Sequence, residues 1–399
     1  MHDLLDAAGG VLDDVVALRR RIHAEPELGL TLPKTQAAVV DALDGLGLDI
    51  STGSEVSSVV ADLRGRDDGP VLLLRADMDA LPMPEDTGLE FASTVKGSMH
   101  ACGHDAHVAM LVGAARILAG RRESLAGSIR FAFQPGEEGF AGARYMIDEG
   151  VLENPDVDAA FALHVAPNLP SGSLWTKGGP LMASADVLDI RVVGRGGHAS
   201  TPHLALDPIP VAAEIIQALQ ALVTRRVDAF DPAVVTIAYI RAGTTTNVIP
   251  EDVIMRGTVR AVSKSSRRRA LEGIERVVTG IASAHDMAAT LTIEPGYPPT
   301  VNDEGFAGFA LAVAADLLGV ANTGRMPAPV MGAEDFSYVL EQTPGALAFL
   351  GVCPPGVRPA QAHSCHSNRM LLDEDAMRAG IALHCAVAER YVATGGNFA

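Results

Sequence analysis

Between Gly178-Gly179-Pro180 and Pro295 the chain alternates in an order that closes on itself. A period-2 strand pattern spans 185–193, an amphipathic helix 208–226, two strands 233–240 and 252–261, a helix about 264–285, and a last strand 287–294. Residues with metal-binding chemistry lie both before and after this block, so the flanking segments are expected to build one domain interrupted by another. The expected boundaries are 1–178 with 295–399 for a discontinuous metal-binding domain, and 179–294 for the inserted one.

The inserted order, βαββαβ, is that of a ferredoxin-like unit. In the flanking segments a helix is expected over 11–23, ending in Arg19-Arg20-Arg21, where cations complement the helix dipole. Strands are expected at 58–63 and 71–75, separated by the turn Gly65-Arg66-Asp67-Asp68-Gly69-Pro70 and followed by Ala76-Asp77-Met78-Asp79. Asp105 is expected to cap a helix running to Leu118, with strands at 128–133, 158–165 and 346–352 and a helix at 304–318. Alternating strands and helices predict an α/β domain with a mainly parallel, helix-covered sheet whose strand ends carry the chemistry.

A length of 399 residues with 48% hydrophobic and 20% charged side chains fits two well-buried domains. The formal charge of −18, from 31 basic and 49 acidic residues, argues against a nucleic-acid partner. Four cysteines are too few for a disulfide framework and point to a reducing, cytoplasmic setting. The opening Met1-His2-Asp3-Leu4-Leu5-Asp6 has no basic region ahead of an apolar core, and no run of about eighteen apolar residues occurs, so neither a secretory signal nor a membrane span is expected.

Met99-His100-Ala101-Cys102-Gly103-His104-Asp105-Ala106-His107 gathers one thiol and three imidazoles, and Glu137-Glu138 follows a strongly apolar strand. Thiolate, imidazole and carboxylate together suit a borderline divalent ion, and adjacent carboxylates can divide metal binding from proton transfer. Each feature alone has a plainer reading: Cys102 as a small buried hydrophobe, the acidic pair as a solvated turn, His164 as a core residue at the end of its strand. Together they favour Cys102, His104, Glu138 and His164 as ligands and Glu137 as general base. His363 is the preferred late ligand, with His366, three positions on, as its competitor. His23, His100, His107 and His384 are assigned structural or supporting roles.

The motifs Arg75-Ala76-Asp77-Met78-Asp79-Ala80-Leu81-Pro82-Met83, the 99–107 segment, Phe133-Gln134-Pro135-Gly136-Glu137-Glu138-Gly139, Ala162-Leu163-His164-Val165, Gly196-Gly197-His198-Ala199-Ser200-Thr201-Pro202-His203, Asn247-Val248-Ile249-Pro250 and Gly332-Ala333-Glu334-Asp335-Phe336-Ser337 occur in order over nearly the whole chain. This arrangement resembles the aminoacylase/hippurate-hydrolase-type amidohydrolases of the metallo-carboxypeptidase clan. The resemblance implies a zinc-peptidase-like mixed sheet flanked by helices, with the ferredoxin-like unit as a lid that also mediates dimerisation. It implies two divalent ions, Mn2+ or Zn2+ with Co2+ or Ni2+ also compatible, held by Cys102, His104, Glu138, His164 and His363. It further implies Glu137 as general acid/base, Asp79 as an orienting residue, and His198 and Asn247 as substrate-binding or carbonyl-polarising groups.

The chain departs from that pattern in two places. Pro26-Glu27-Leu28 is followed by Gly29-Leu30-Thr31 without the usual acidic residue, and the late ligand lies in His363-Ser364-Cys365-His366 in place of His-Ser-Pro. The implied activity is hydrolysis of the amide of small N-acyl amino acids (acetyl, benzoyl or indole-acetyl) by a homodimer or higher homo-oligomer. The alternatives are a dipeptidase or aminopeptidase of the same clan and a catalytically silent metal-binding module. A serine hydrolase is disfavoured because no Gly-x-Ser-x-Gly elbow occurs. Arg256 and Arg260 are candidates for the substrate carboxylate or plain solvent-facing residues, and Arg267-Arg268-Arg269 reads as a charged helix face.

Overall fold

The computed structural model describes residues 2–398. Two compact units emerge. The first comprises Met1–Leu181, Val301–Ala328 and Asp335–Ala399, and the second Met182–Thr300 and Pro329–Glu334.

The first unit is built on an eight-stranded sheet. From edge to edge the strands are Asp49–Thr52, Val59–Arg64, Ser128–Gln134, Val71–Asp77, Ala159–Ala166, Gly345–Gly351, Leu174–Thr176 and Thr323–Arg325. Val71–Asp77 and Gly345–Gly351 are buried at every position, as their near-continuous apolar sequence requires of strands covered on both faces. Helices His2–Ala24, His104–Gly120, Met377–Ala393 and Glu304–Leu318 share one core with these strands, through side chains such as Leu4, Val15, Met110, Leu111, Phe306 and Ile381.

The sheet is mixed, with four of its seven strand pairings parallel and three antiparallel. The central strands Ser128–Gln134, Val71–Asp77, Ala159–Ala166 and Gly345–Gly351 run parallel, but Asp49–Thr52 with Val59–Arg64, Val59–Arg64 with Ser128–Gln134, and Gly345–Gly351 with Leu174–Thr176 are antiparallel. Apolar runs encode burial and carry no strand direction, which is why the sequence pattern could not separate the two.

Asp105 does not cap its helix. The N-cap is Gly103, in the left-handed region at φ 84°, without a side-chain cap. The Asp105 carboxylate turns instead to Arg19 Nε at 2.7 Å and His23 Nδ1 at 2.8 Å, because a fully buried anion gains more from two cations than from helix N–H groups.

The second unit follows the order Asp186–Val193, Pro208–Arg226, Ala233–Ala242, Asp252–Ala261, Lys264–Ala284 and Ala288–Pro295. Its antiparallel sheet has the spatial order Ala233–Ala242, Asp252–Ala261, Asp186–Val193, Ala288–Pro295. One face of the sheet meets both helices in a separate core that includes Ile190, Ile215, Leu219, Met255, Ile274 and Val278. Pro208 opens its helix after Asp207, whose carboxylate accepts from Ile209 N–H, and Ser263 caps the second helix through Ser266 N–H. Arg267 is more than a charged face: its Nη2 and Nε grip the buried Asp186 at 2.5 and 2.9 Å.

Candidate metal centre

Parallel register brings the chemistry to one rim of the first unit. Asp77 lies beside Gln134 and Arg75 beside Ala162, so the loops leaving the first two of three neighbouring strands, carrying Asp79 and Glu137-Glu138, emerge beside His164 near the end of the third. The loop before helix His104–Gly120 adds Cys102. Gly103 makes the turn possible: its φ of 84° is costly for an L side chain, and a Cβ there would lie 2.4 Å from Val165 Cγ2.

Five groups of donors result, the atoms of each within 4.8 Å of one another: Cys102 with His104 and His164, Cys102 with Glu138 and His366, and His104 with Glu137 and Glu138, with Asp77, His104 and His107 and Glu137, Glu334 and Asp335 adjoining them. Cys102 Sγ and His164 Nε2 are 3.4 Å apart, and His104 Nε2 lies 4.0 Å from Glu138 Oε1. The far sides of both imidazoles are anchored, His104 Nδ1–H donating to Asp79 O and His164 Nδ1–H to Val165 O, each at 2.8 Å. Both Nε2 lone pairs are thereby turned toward the cluster. The Asp79 carboxylate accepts from the N–H groups of Glu137 (2.9 Å) and Glu138 (3.0 Å), fixing the acidic tandem beside the same histidine.

The donor set fits a divalent cation. His104 Nε2 and Glu138 Oε1 are buried and make no hydrogen bond among the described residues, a costly state for two polar atoms that a positive ion between them would relieve. Electrostatics agree. Burial works against charge on His104, yet Asp77, the Asp79 hydrogen bond and Glu138 outweigh it and raise its pKa to about 10. Burial likewise opposes ionised Glu138, but the neighbouring imidazoles of His366 and His104 hold its pKa below the ordinary value. The site attracts a cation, and a metal would compete there with protons.

The late histidine is corrected. His363 is exposed and joins no donor group among the described residues, whereas His366 Nε2 stands 3.2 Å from Glu138 Oε1. The backbone decides this: His366 N–H donates to Ala101 O at 2.8 Å and adopts φ 68°, which ties its loop to the Cys102 loop and aims residue 366, not 363, at the cluster.

Behind the donors runs a buried ionic chain that sequence reasoning missed. Arg75 binds Asp77 (2.6 Å), Gln134 (2.9 Å) and Asp335 (3.0 Å). Asp77 accepts from His107 Nδ1–H at 2.5 Å, and His107 Nε2 accepts from Val165 N–H at 2.8 Å, one residue beyond His164. The available signal was a lone arginine after Leu72-Leu73-Leu74 in a fully buried strand, which must have partners. His23 pairs with Asp105 and Glu85, and His100 and His384 are buried; none of these three joins a donor group among the described residues, whereas His107 stands in one with Asp77 and His104.

Within the second unit, His198 and Asn247 lie on paired segments. His198 is opposite Val248, and Ala199 N–H donates to Asn247 O at 3.0 Å. His198 is exposed, its Nδ1 engaged by Ser200 N–H at 3.1 Å. Arg256 is held by Asp189 at 2.8 Å and lies over the Tyr239 ring, which commits it within the sheet.

Comparison with known proteins locates this site in a family. Residues 73–390 match the model of peptidase family M20/M25/M40. Thermostable carboxypeptidase 1 of Saccharolobus solfataricus is 38% identical over 95% of this chain and 95% of its own length. IAA-amino acid hydrolase ILR1-like 4 of Arabidopsis thaliana is 40% identical over 95% of this chain and 86% of its own, and N-acetylcysteine deacetylase of Bacillus subtilis 40% over 91% and 93%. The crystal structure of the Bacillus subtilis YXEP protein, described as a dinuclear metal binding peptidase from the M20 family, superposes with a TM-score of 0.84 at 35% identity, covering 97% of this chain and 99% of that one. The chain belongs to peptidase family M20/M25/M40 and is an amidohydrolase.

Proposed function

We propose that this member of the M20/M25/M40 family hydrolyses the amide bond of small N-acyl amino acids (acetyl, benzoyl or indole-acetyl conjugates), releasing a carboxylic acid and the free amino acid. The observation that carries the reading is the Glu137-Glu138 tandem, whose two N–H groups are clamped by one Asp79 carboxylate beside His104. Relatives of about this length that act on IAA-amino acids and N-acetylcysteine support the substrate class.

In this reading Cys102, His104, Glu138, His164 and His366 hold two divalent ions, Mn2+ or Zn2+, with Co2+ or Ni2+ compatible with the same donors. Metal held by these residues would polarise the carbonyl and lower the pKa of a water from 15.7 to about 7. Glu137 takes the proton of the attacking water and delivers it to the departing nitrogen. Asp79 orients His104 through its carbonyl and sets the acidic tandem through its carboxylate. The smaller unit acts as a ferredoxin-like lid and dimerisation domain, on which His198 donates to the developing oxyanion and Asn247 binds substrate. The four cysteines, all free thiols, suit a cytoplasmic site of action.

The carboxypeptidase relative favours a second reading, cleavage of free peptides. The two separate when metal-loaded protein is given matched pairs of an N-acyl amino acid and the corresponding free dipeptide. The proposal expects higher kcat/KM on the N-acyl member; preference for the dipeptide would replace it with the peptidase reading.

A further inference from the structure

Cys365 and Cys102 lie on the two loops joined by the His366 N–H to Ala101 O hydrogen bond. Cys365 Sγ approaches the carbonyls of Val165 at 3.7 Å and Cys102 at 3.9 Å, so the sulfur is held between the Cys102 loop and the strand that carries His164. The two thiols differ in access: Cys365 is partly exposed, whereas Cys102 is buried. The remaining cysteines make no such pair. Cys353 is buried with Sγ on Val357 O, and Cys385 is buried with Sγ on Ala114 O. Nothing in the hydrolytic reading uses Cys365.

We propose that Cys365 is an oxidation site for hydroperoxides, and that its oxidised form closes a disulfide with Cys102. In the first step the Cys365 sulfur attacks the terminal peroxide oxygen. An S–O bond forms and the O–O bond breaks, so that the sulfur is oxidised to sulfenic acid and the peroxide is reduced to its alcohol, or to water from hydrogen peroxide. In the second step Cys102 attacks Cys365 Sγ; the S–S bond forms, the S–O bond breaks, and the hydroxyl leaves as water with the Cys102 proton. The sum converts two thiols and one hydroperoxide into a disulfide, an alcohol and water. A dithiol reverses it by thiol–disulfide exchange.

The consequence for the metal rests on the proposed function, since a disulfide removes the thiolate that Cys102 would offer. Oxidation then becomes a reversible brake on metal loading, and bound metal, by occupying Cys102, protects against it.

The test uses full-length, metal-stripped protein treated with one equivalent of hydrogen peroxide. Free thiols counted after denaturation should fall from four to two, and peptide mapping should find Cys102 joined to Cys365. Dithiothreitol should restore both thiols. Cys365→Ser should keep the metal content and turnover of the untreated protein, form no cross-link, and lose activity to peroxide at least tenfold more slowly. Cys365 driven to sulfinic acid with no cross-link, or a cross-link that omits Cys365, overturns the proposal. A Cys102–Cys365 cross-link with metal uptake unchanged upholds the oxidation site and overturns the ligand role of Cys102 instead.

Discussion

His366 Nε2 lies 3.2 Å from Glu138 Oε1, an atom that is buried without a hydrogen bond of its own. That relationship separates two histidines only three positions apart. His366→Ala should lower metal affinity by about 100-fold or more, beyond the ~10–100-fold typical of removing an outer partner. His363→Ala, at an exposed position, should leave metal content unchanged. Metal stoichiometry measured after dialysis at graded free metal checks both, and the reverse pattern would restore His363.

His23 carries a pH dependence of stability. Burial opposes its charge, but the Asp105 anion, its hydrogen bond and that of Glu85 prevail and raise the pKa to about 9. The folded value is above the unfolded value of about 6.5. The stabilisation is therefore complete below pH ~6.5 and is lost as pH rises through about 9. At roughly 1.4 kcal/mol per pKa unit, it amounts to about 3 kcal/mol. Urea unfolding of wild type and His23→Leu at a series of pH values should give a gap that narrows from pH 6.5 to above 9; a constant gap would show that His23 acts through packing alone.

Arg75 neutralises two buried carboxylates, Asp77 and Asp335. Its replacement by methionine keeps the volume and removes the guanidinium from both anions, a change that costs roughly 3–5 kcal/mol when one partner of a buried pair is removed. The predicted loss is visible in urea midpoints, and Arg75→Lys should recover only part of it because ammonium lacks the planar fork. A methionine variant of wild-type stability would mean that the chain Asp335–Arg75–Asp77–His107 carries no structural weight.

Much of this was legible in the residues, for identifiable reasons. Helices Pro208–Arg226 and Glu304–Leu318 carry clear amphipathic or apolar signals with Pro or Asp at their starts, and they form where the spacing predicts. Cys102, His104, Glu138 and His164 stand at strand or helix ends, where polar residues interrupt apolar runs. Three features escaped. The antiparallel strands are invisible to periodicity, and the three-residue strand Thr323–Arg325 is too short to register. His366 is set by one backbone hydrogen bond and a positive φ that no composition signals. The partners of Arg75 come from three separate segments, the farthest, Asp335, lying 260 positions away. A single sequence names the charge but not what meets it.

Glu137 is the group that moves the proton in the proposed function, and Glu137→Gln tests that role most directly because the substitution keeps the shape and leaves the proposed ligand set intact. Release of free amino acid from N-acetyl, N-benzoyl and indole-acetyl amino acids should be measured with metal-loaded wild type and variant at matched metal content. The expected result is a fall in kcat of roughly 10²–10⁴-fold with metal still bound. Wild-type kcat in the variant at full metal occupancy would contradict it.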